Sequence, residues 1–159
     1  SGFAMNLKRK RKKNPLAKNI YSKDEAQYII LVGSETGTTY AFANTFYNAL
    51  INHGAAAYIT LLNEYTTYKK ATQLVIFTAT YGDGEAPSNA TEFENLLHII
   101  NQEQNLWYSV VGFGSLLYPK YCNYAIQVDA MLQGHTNFTP NTPIHKINNQ
   151  SFTAFKNWS

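Results

Sequence analysis

The sequence predicts an α/β fold in which helices cover both faces of a five-stranded parallel sheet. Apolar runs of strand length alternate about five times with segments of helical spacing. The strand runs are continuously apolar, which is typical of parallel strands buried on both faces. The chain has 159 residues, 45% of them hydrophobic, which is enough for the core of one domain and excludes disorder throughout.

The five predicted strands follow one another at the spacing that strand–helix units produce. Their apolar runs are residues 28–33, 58–62, 74–80 and 107–114, with a weaker run at 143–147. We expect the weaker run to be an edge strand. Crossover connections between parallel strands are right-handed, so the intervening segments are expected to cover both faces of the sheet.

The predicted helices are marked by apolar spacing and by capping residues. Gly54 follows the first helical stripe and is a natural C-terminal cap. Asn89 opens a segment with the spacing of a capping box, which places a helix after it. The helical segments are 40–53, 89–100, 121–132 and 152–158.

Positive charge is concentrated at the amino terminus. The formal net charge is +3, but seven of the thirteen lysines and arginines lie in the first 18 residues, which contain no acid. The other six face ten acidic residues, so residues 19–159 carry a formal net charge of −4. The basic run consists of Lys8, Arg9, Lys10, Arg11, Lys12 and Lys13.

We expect residues 1–25 to comprise a tag remnant and a disordered basic tether, because six consecutive like charges repel one another. Three roles are open for the tether. It is a juxtamembrane segment by the positive-inside rule, a nucleic-acid contact, or an inert extension. No aromatic residue interrupts the basic run for base stacking, and the rest of the chain is acidic, so we expect no nucleic-acid partner.

The composition excludes several other classes. Cys122 is the only cysteine, so the chain has neither an intrachain disulfide nor a cysteine zinc site. No apolar run reaches the roughly 18 to 20 residues of a membrane-spanning helix. We expect no metal site, because the histidines have no ligand spacing; they are His53, His98, His135 and His145.

The loop after the first strand predicts a phosphate site, because ligands of such sheets bind beyond the carboxyl ends of the strands. Hydroxyls and a glycine stand at the entrance of a helix whose first amides are unpaired. The segment lacks the lysine of a P-loop and the glycines of a dinucleotide fingerprint. The loop is therefore predicted to bind a single phosphate without a cationic side chain. Its residues are Ser34, Glu35, Thr36, Gly37, Thr38 and Thr39.

The loops after the third and fourth strands predict a site for a flat aromatic ligand. Two glycines around an acid let the backbone approach a ligand closely. Tyr81 and Tyr118 follow different strands at the same crevice, so we expect them to sandwich an aromatic ring. The candidate residues are Thr80, Tyr81, Gly82, Asp83 and Gly84 in one loop, and Gly112, Phe113, Gly114, Tyr118, Tyr121 and Cys122 in the other.

The three loops, in this order and spacing, resemble the FMN-binding, flavodoxin-like domain of diflavin reductases. That group includes the sulfite reductase flavoprotein and the reductase part of nitric oxide synthase. The matching segments are residues 34–39, 80–87 with Asn89, and 111–129. The resemblance implies the strand order 2-1-3-4-5 and a domain over residues 26–159. It also implies FMN as cofactor, with the phosphate in the first loop and the ring between the two tyrosines.

The resemblance implies an oxidoreductase domain that relays electrons and has no catalytic residues of its own, because the flavin supplies the redox chemistry. Electrons would come from a FAD domain that oxidises NAD(P)H on the same parent chain. The basic run adds the expectation of a bacterial membrane flavoprotein. The tether would then hold the domain at the cytoplasmic face of the inner membrane by binding anionic lipid.

Two other functions stay open. A stand-alone FMN-dependent quinone reductase would use the same loops. A basic-tailed nucleic-acid-binding protein would carry an empty flavodoxin-like domain. A phospho-acceptor receiver domain is disfavoured, because Gly33-Ser34 and Ala79-Thr80 do not supply the acidic residues that it needs.

Overall fold

Six parallel strands form one sheet in the computed structural model, which describes residues 15–35, 37–81, 84–114 and 122–148. The strands are β1 (Tyr28–Gly33), β2 (Ala57–Leu61), β3 (Gln73–Ala79), β4 (Leu106–Gly114), β5 (Phe138–Pro140) and β6 (His145–Asn148). Their order is β2-β1-β3-β4-β5, and β6 also pairs with β4. The predicted fold class and strand order are confirmed.

The outer position beside β4 is shared by two short strands. β5 pairs with the start of β4, and β6 pairs with its end. Pro140 and Pro143 flank the interruption, and proline has no N–H to donate to a strand ladder. The sequence predicted one strand at 143–147 and missed β5, because three residues are too few to show a period.

Three helices connect the strands of the described part: α1 (Gly37–Asn52), α2 (Phe93–Ile99) and α3 (Asn123–Gln133). The capping box predicted at Asn89 is wrong. Asn89 lies in a 3-10 turn over Ser88–Ala90, and Glu92 precedes α2 without a side-chain cap. The basic run and the helix predicted at 152–158 lie outside the described residues.

Both faces of the sheet are covered. In β1, Ile29 and Leu31 belong to one core cluster, whereas Ile30 and Val32 belong to the other. The first cluster packs under α2 and α3, and the second packs under α1. This alternation explains why the strand is apolar at every position. Within the described ranges, no helix combines the length and the apolar character needed to cross a membrane.

The segment before β1 packs on α1. The Asn44 side chain accepts a hydrogen bond from the Ala17 N–H (2.8 Å). It also donates one to the Pro15 carbonyl (2.8 Å). The Ile20 N–H donates to the Tyr47 hydroxyl at 3.0 Å. Residues 15–20 therefore contact the domain that the sequence placed at residues 26–159. Asparagine and tyrosine side chains of α1 supply hydrogen bonds that this segment's composition does not reveal.

Asn19 in the same segment covers the open side of β2, an edge strand. Its amide donates to the Ile59 carbonyl (2.9 Å) and accepts from the Ile59 N–H (2.8 Å). An edge strand presents unpaired backbone groups that template pairing with other chains. The asparagine side chain satisfies two of these groups in the way that a neighbouring strand would.

Replacing Asn19 with alanine should lower the free energy of unfolding by about 1–2 kcal/mol, because two partly buried backbone groups lose their partner. Urea unfolding followed by circular dichroism measures the change. Asn101→Ala, at an exposed loop asparagine, is the control and should leave the midpoint unchanged. Equal midpoints for both variants would contradict the role given to Asn19.

Tyr108 of β4 and Asp129 of α3 are polar neighbours, of which Tyr108 is buried and Asp129 is partly buried. The Tyr108 hydroxyl is buried and has no hydrogen-bond partner of normal geometry among the described residues. Burial, and next the neighbouring Asp129 carboxylate, raises the pKa of Tyr108 to about 12. Burial also raises the pKa of Asp129, although the hydrogen bond from Gln133 opposes the shift. The ionised Asp129 therefore destabilises the folded state.

Asp129→Asn should be more stable than the unchanged protein at pH 7. Because the native pKa of Asp129 lies above that of the unfolded chain, the native state loses stability as the pH rises through that native pKa. The advantage of the variant should shrink as the pH falls toward about 4, the ordinary carboxyl range. Thermal unfolding of both proteins across this pH range tests the prediction, and Glu103→Gln, at an exposed residue, is the control. A stability difference between Asp129→Asn and the unchanged protein that stays constant with pH would contradict the prediction.

Candidate cofactor site

The three predicted loops leave the sheet at one edge. Gly33 at the end of β1 pairs with Thr78 of β3, and Thr78 pairs with Gly112 of β4. The strands are parallel, so their carboxyl ends point the same way and the chain leaves each of them beside the next. The structure therefore brings the first and second loops together as predicted.

The first loop leads into α1 with open space in front of the helix. Among the described residues, a Cβ added to Gly37 would meet no atom of another segment within 4 Å, and the first turn of α1 holds no acidic side chain. Ser34 and Thr39 are buried, whereas the other described loop residues are exposed. The amino-terminal end of a helix favours anions, so this end of α1 is a candidate phosphate site. The exposed members are Glu35, Gly37 and Thr38, and Thr36 lies outside the described residues.

Asn89 holds the first loop from the neighbouring connection. Its Oδ1 accepts the Ser34 N–H (2.9 Å), and its Nδ2 donates to the Ser34 carbonyl (3.0 Å) and to the Tyr40 hydroxyl (2.5 Å). Tyr40 in turn donates to the Ser34 carbonyl at 3.1 Å. Burial raises the pKa of Tyr40, which keeps this hydroxyl protonated. The Glu35 carboxylate also accepts the Ser88 N–H.

The second loop is a tight hairpin. Tyr81 and Glu85 exchange two backbone hydrogen bonds of 2.7 and 2.8 Å. Gly84 has a φ of 99°, a conformation that side chains disfavour. The Tyr81 side chain is 51% exposed at the edge of the sheet, as an aromatic that stacks on a ligand requires. Gly82 and Asp83, between the paired residues, lie outside the described residues.

The hairpin is anchored to the start of α3. The Thr80 hydroxyl accepts the Tyr124 N–H (3.0 Å), which satisfies one of the unpaired amides of the helix. The Asn123 side chain donates to the Gly84 carbonyl at 2.7 Å. Cys122 precedes the helix with a φ of 53° and its side chain is buried in the core. Two polar side chains thus set where the hairpin stands.

The third loop begins at the end of β4, where the structure assigns side chains to the core. The Phe113 ring is buried and contacts the Phe42 ring (centroids 5.2 Å apart) and the Phe77 ring (6.1 Å). Phe113 can therefore meet a ligand only through its backbone, whereas Gly114 is partly exposed. The rest of the loop, including Tyr118 and Tyr121, lies outside the described residues, so the predicted sandwich stays a prediction.

Gly112 lets α3 lie close to β4. A Cβ at this position would stand 2.6 Å from the Cβ of Ala125 and 3.4 Å from the Cβ and Sγ of Cys122. The 2.6 Å contact with Ala125 is too short for two Cβ atoms, so the helix would have to move. The sequence placed Gly112 among the cofactor residues, and the structure adds a packing role that spacing alone does not reveal.

The site holds no cationic side chain in its first two loops. Neither residues 34–39 nor residues 80–89 contain lysine, arginine or histidine, while Glu35 and Glu85 are exposed there. Among the described residues, no group of three or more His, Cys, Asp or Glu side chains is placed to hold a metal ion. The groups of these two loops that could bind a ligand are therefore backbone amides, hydroxyls and the aromatic ring of Tyr81.

Comparison with known proteins places this chain among flavin-binding folds. The family model described as Flavodoxin matches residues 30–151, which is more than half of the chain. Inducible nitric oxide synthases of Gallus gallus and Homo sapiens are 30% and 27% identical over 135 residues. Each match covers 82% of this chain but 12% of the synthase, so the chain spans a small part of these relatives' length.

Two solved structures share the fold. Flavodoxin from Streptococcus pneumonia TIGR4 superposes with a TM-score of 0.67 at 23% identity, covering 81% of this chain and 90% of that one. A cysteine-to-serine variant of Pseudomonas aeruginosa flavodoxin gives 0.68 at 20% identity, covering 82% and 89%. At this identity the likeness shows the fold alone.

Gly112→Ala should lower the free energy of unfolding by about 1–3 kcal/mol, because its Cβ overpacks the contact with α3. Adding Gly112→Ala to Ala125→Gly should cost much less, since the opposing Cβ is gone. Urea unfolding of the unchanged protein, the two single variants and the double variant forms a double-mutant cycle. The cycle measures the coupling between positions 112 and 125. Gly134→Ala, where the nearest atom would be 3.4 Å away, is the control. Additive effects in the cycle would contradict the packing role.

Proposed function

The chain belongs to the flavodoxin family, and on this premise we propose that it is a relay domain that carries single electrons on bound FMN. FMN is the cofactor of this family, as the sequence predicted. The observation that carries the proposal is the first loop, where Gly37 and Thr38 leave the amino-terminal end of α1 exposed and the loop contains no cationic side chain. The relay takes electrons from a reductase domain and passes them to an acceptor.

The first loop would hold the phosphate of FMN. Gly37 leaves room at the start of α1, and the hydroxyls of Thr38 and the buried Ser34 and Thr39 lie in the same segment. The positive end of the helix dipole favours a negative group at this position. The described residues therefore fit a phosphate group, and Thr36 is proposed to complete the loop.

The second and third loops would hold the ring. Tyr81 offers an exposed aromatic face, and Tyr118 is proposed for the opposite face. Gly82 would contact the ring through its backbone, with Asp83 and Gly84 in the same hairpin. Bound FMN would supply the redox chemistry, while the chain binds and orients it and limits its access to water.

The electron donor is proposed to be a FAD domain that oxidises NAD(P)H, on the same parent chain, as in diflavin reductases of the sulfite reductase or nitric oxide synthase type. The relatives named above as inducible nitric oxide synthases support this, because the matched part is a small fraction of each longer protein. An isolated electron carrier needs no catalytic side chain, and we assign none.

The basic run is proposed to tether the domain to the cytoplasmic face of a bacterial inner membrane. Its six consecutive cationic residues contrast with the formal charge of −4 on residues 19–159. Each lysine or arginine near an anionic surface contributes on the order of 1 kcal/mol to its binding. The tether would hold the relay close to a membrane-bound reductase or acceptor without itself entering the lipid.

Titration of the purified protein with FMN tests the function. The unchanged protein should bind one FMN at micromolar concentration or tighter and quench its fluorescence. Tyr81→Leu should weaken binding by about tenfold and restore part of the fluorescence, because base–aromatic stacking is worth about 1–3 kcal/mol. Trp107→Leu removes another exposed aromatic, at the start of β4, and should change neither property.

Failure of the unchanged protein to bind FMN would overturn the proposal. Rapid oxidation of NAD(P)H by the isolated chain with bound FMN would instead favour a stand-alone quinone reductase, which uses the same loops but needs no reductase domain. A relay should oxidise NAD(P)H only when a separate reductase is added.

A further inference from the structure

We propose that Asn89 is a positioning residue that sets the preference of this site for a phosphorylated flavin. The inference rests on the proposed binding of FMN. Asn89 lies outside the first loop, 55 positions from Ser34, yet it bonds both backbone groups of that residue. It would act on the phosphate through the loop, without touching the ligand.

The Asn89 side chain extends the pairing of β1 by one residue. Regular pairing of β1 with β3 ends at Gly33 and Thr78. At the next residue, the amide of Asn89 accepts from the Ser34 N–H and donates to the Ser34 carbonyl, as a neighbouring strand would. Ser34 is 2% exposed. Both backbone groups of the first loop residue are therefore hydrogen-bonded, as they would be inside the sheet.

Asn89 also fixes the far end of the loop. Its Nδ2 donates to the hydroxyl of Tyr40, which lies in the first turn of α1 and itself donates to the Ser34 carbonyl. The three side-chain and backbone groups form a closed set of hydrogen bonds between the start of the loop and the helix. The groups proposed to receive the phosphate lie between Ser34 and Tyr40, and Asn89 is bonded to both of these residues.

The hydrogen bonds also explain why Asn89 does not bind the ligand directly. A carboxamide has two N–H donors, and Asn89 directs its Nδ2 to the Ser34 carbonyl and to Tyr40. Its oxygen accepts from Ser34. No N–H of this side chain remains for an anion. Its removal should therefore loosen the amides that contact the phosphate and leave the ring site unchanged.

Binding of FMN and of riboflavin separates these effects, because riboflavin has the same ring and no phosphate. Asn89→Ala should weaken FMN binding at least tenfold and change riboflavin binding by less than twofold. Tyr40→Phe should lower the FMN preference by a smaller factor, since Asn89 still holds Ser34. Asn89→Asp should not restore it, because a carboxylate cannot donate to Ser34 and Tyr40.

Asn63→Ala is a matched control. Asn63 bonds the same connection, donating to the Ser88 carbonyl and accepting from the Glu92 N–H, and neither of these bonds reaches the first loop. Its loss should leave the ratio of FMN to riboflavin affinity unchanged even if stability falls. Thermal unfolding of each variant without ligand shows that the folded state is present at the temperature of the titration.

The outcomes separate the inference from the proposed function. An unchanged protein that binds riboflavin as tightly as FMN would overturn the phosphate site itself. An unchanged protein that prefers FMN, with Asn89→Ala lowering both affinities equally or neither, would overturn the role of Asn89. If Asn89→Ala does not fold, Tyr40→Phe decides, and an unchanged ratio for that variant counts against the inference.

Discussion

Burial of β1 on both faces is the constraint on which the rest of the structure depends. Ile29, Ile30, Leu31 and Val32 are all fully buried, so none of these four side chains can contact a ligand. The chemistry is therefore confined to the loops at the carboxyl ends of the strands. The parallel register brings those ends together at Gly33, Thr78 and Gly112, and every feature of the candidate site follows from this meeting point.

Neutral polar side chains carry the pairing of the backbone beyond the sheet. Asn89 continues the ladder at the end of β1, Asn19 covers the open side of β2, and Thr80 caps the start of α3. The low content of charged residues, 14%, is consistent with this use of asparagine and threonine. Amides and hydroxyls satisfy backbone groups without bringing a full charge into a partly buried site, where its desolvation would be costly.

Much of the fold could be predicted because its signals are local. Continuous apolar runs identified the central strands, and Gly54, which has a φ of 83°, ends the first helix as expected. The role of Asn89 was missed because its partner Ser34 is 55 positions away, and its local spacing imitates a capping box. The packing role of Gly112 depends on Ala125 of another element, and no pattern within β4 reveals it.

The central claim is that N–H and O–H donors, with no cationic side chain, hold the phosphate of FMN in this site. Phosphorus-31 NMR of the protein with bound FMN tests it most directly. Donors that favour the doubly charged phosphate lower its second pKa, which is about 6 in a free phosphate monoester. The account predicts a bound signal whose shift stays constant from roughly pH 5 to roughly pH 8. A bound signal that titrates like free FMN, or no bound signal, would contradict it.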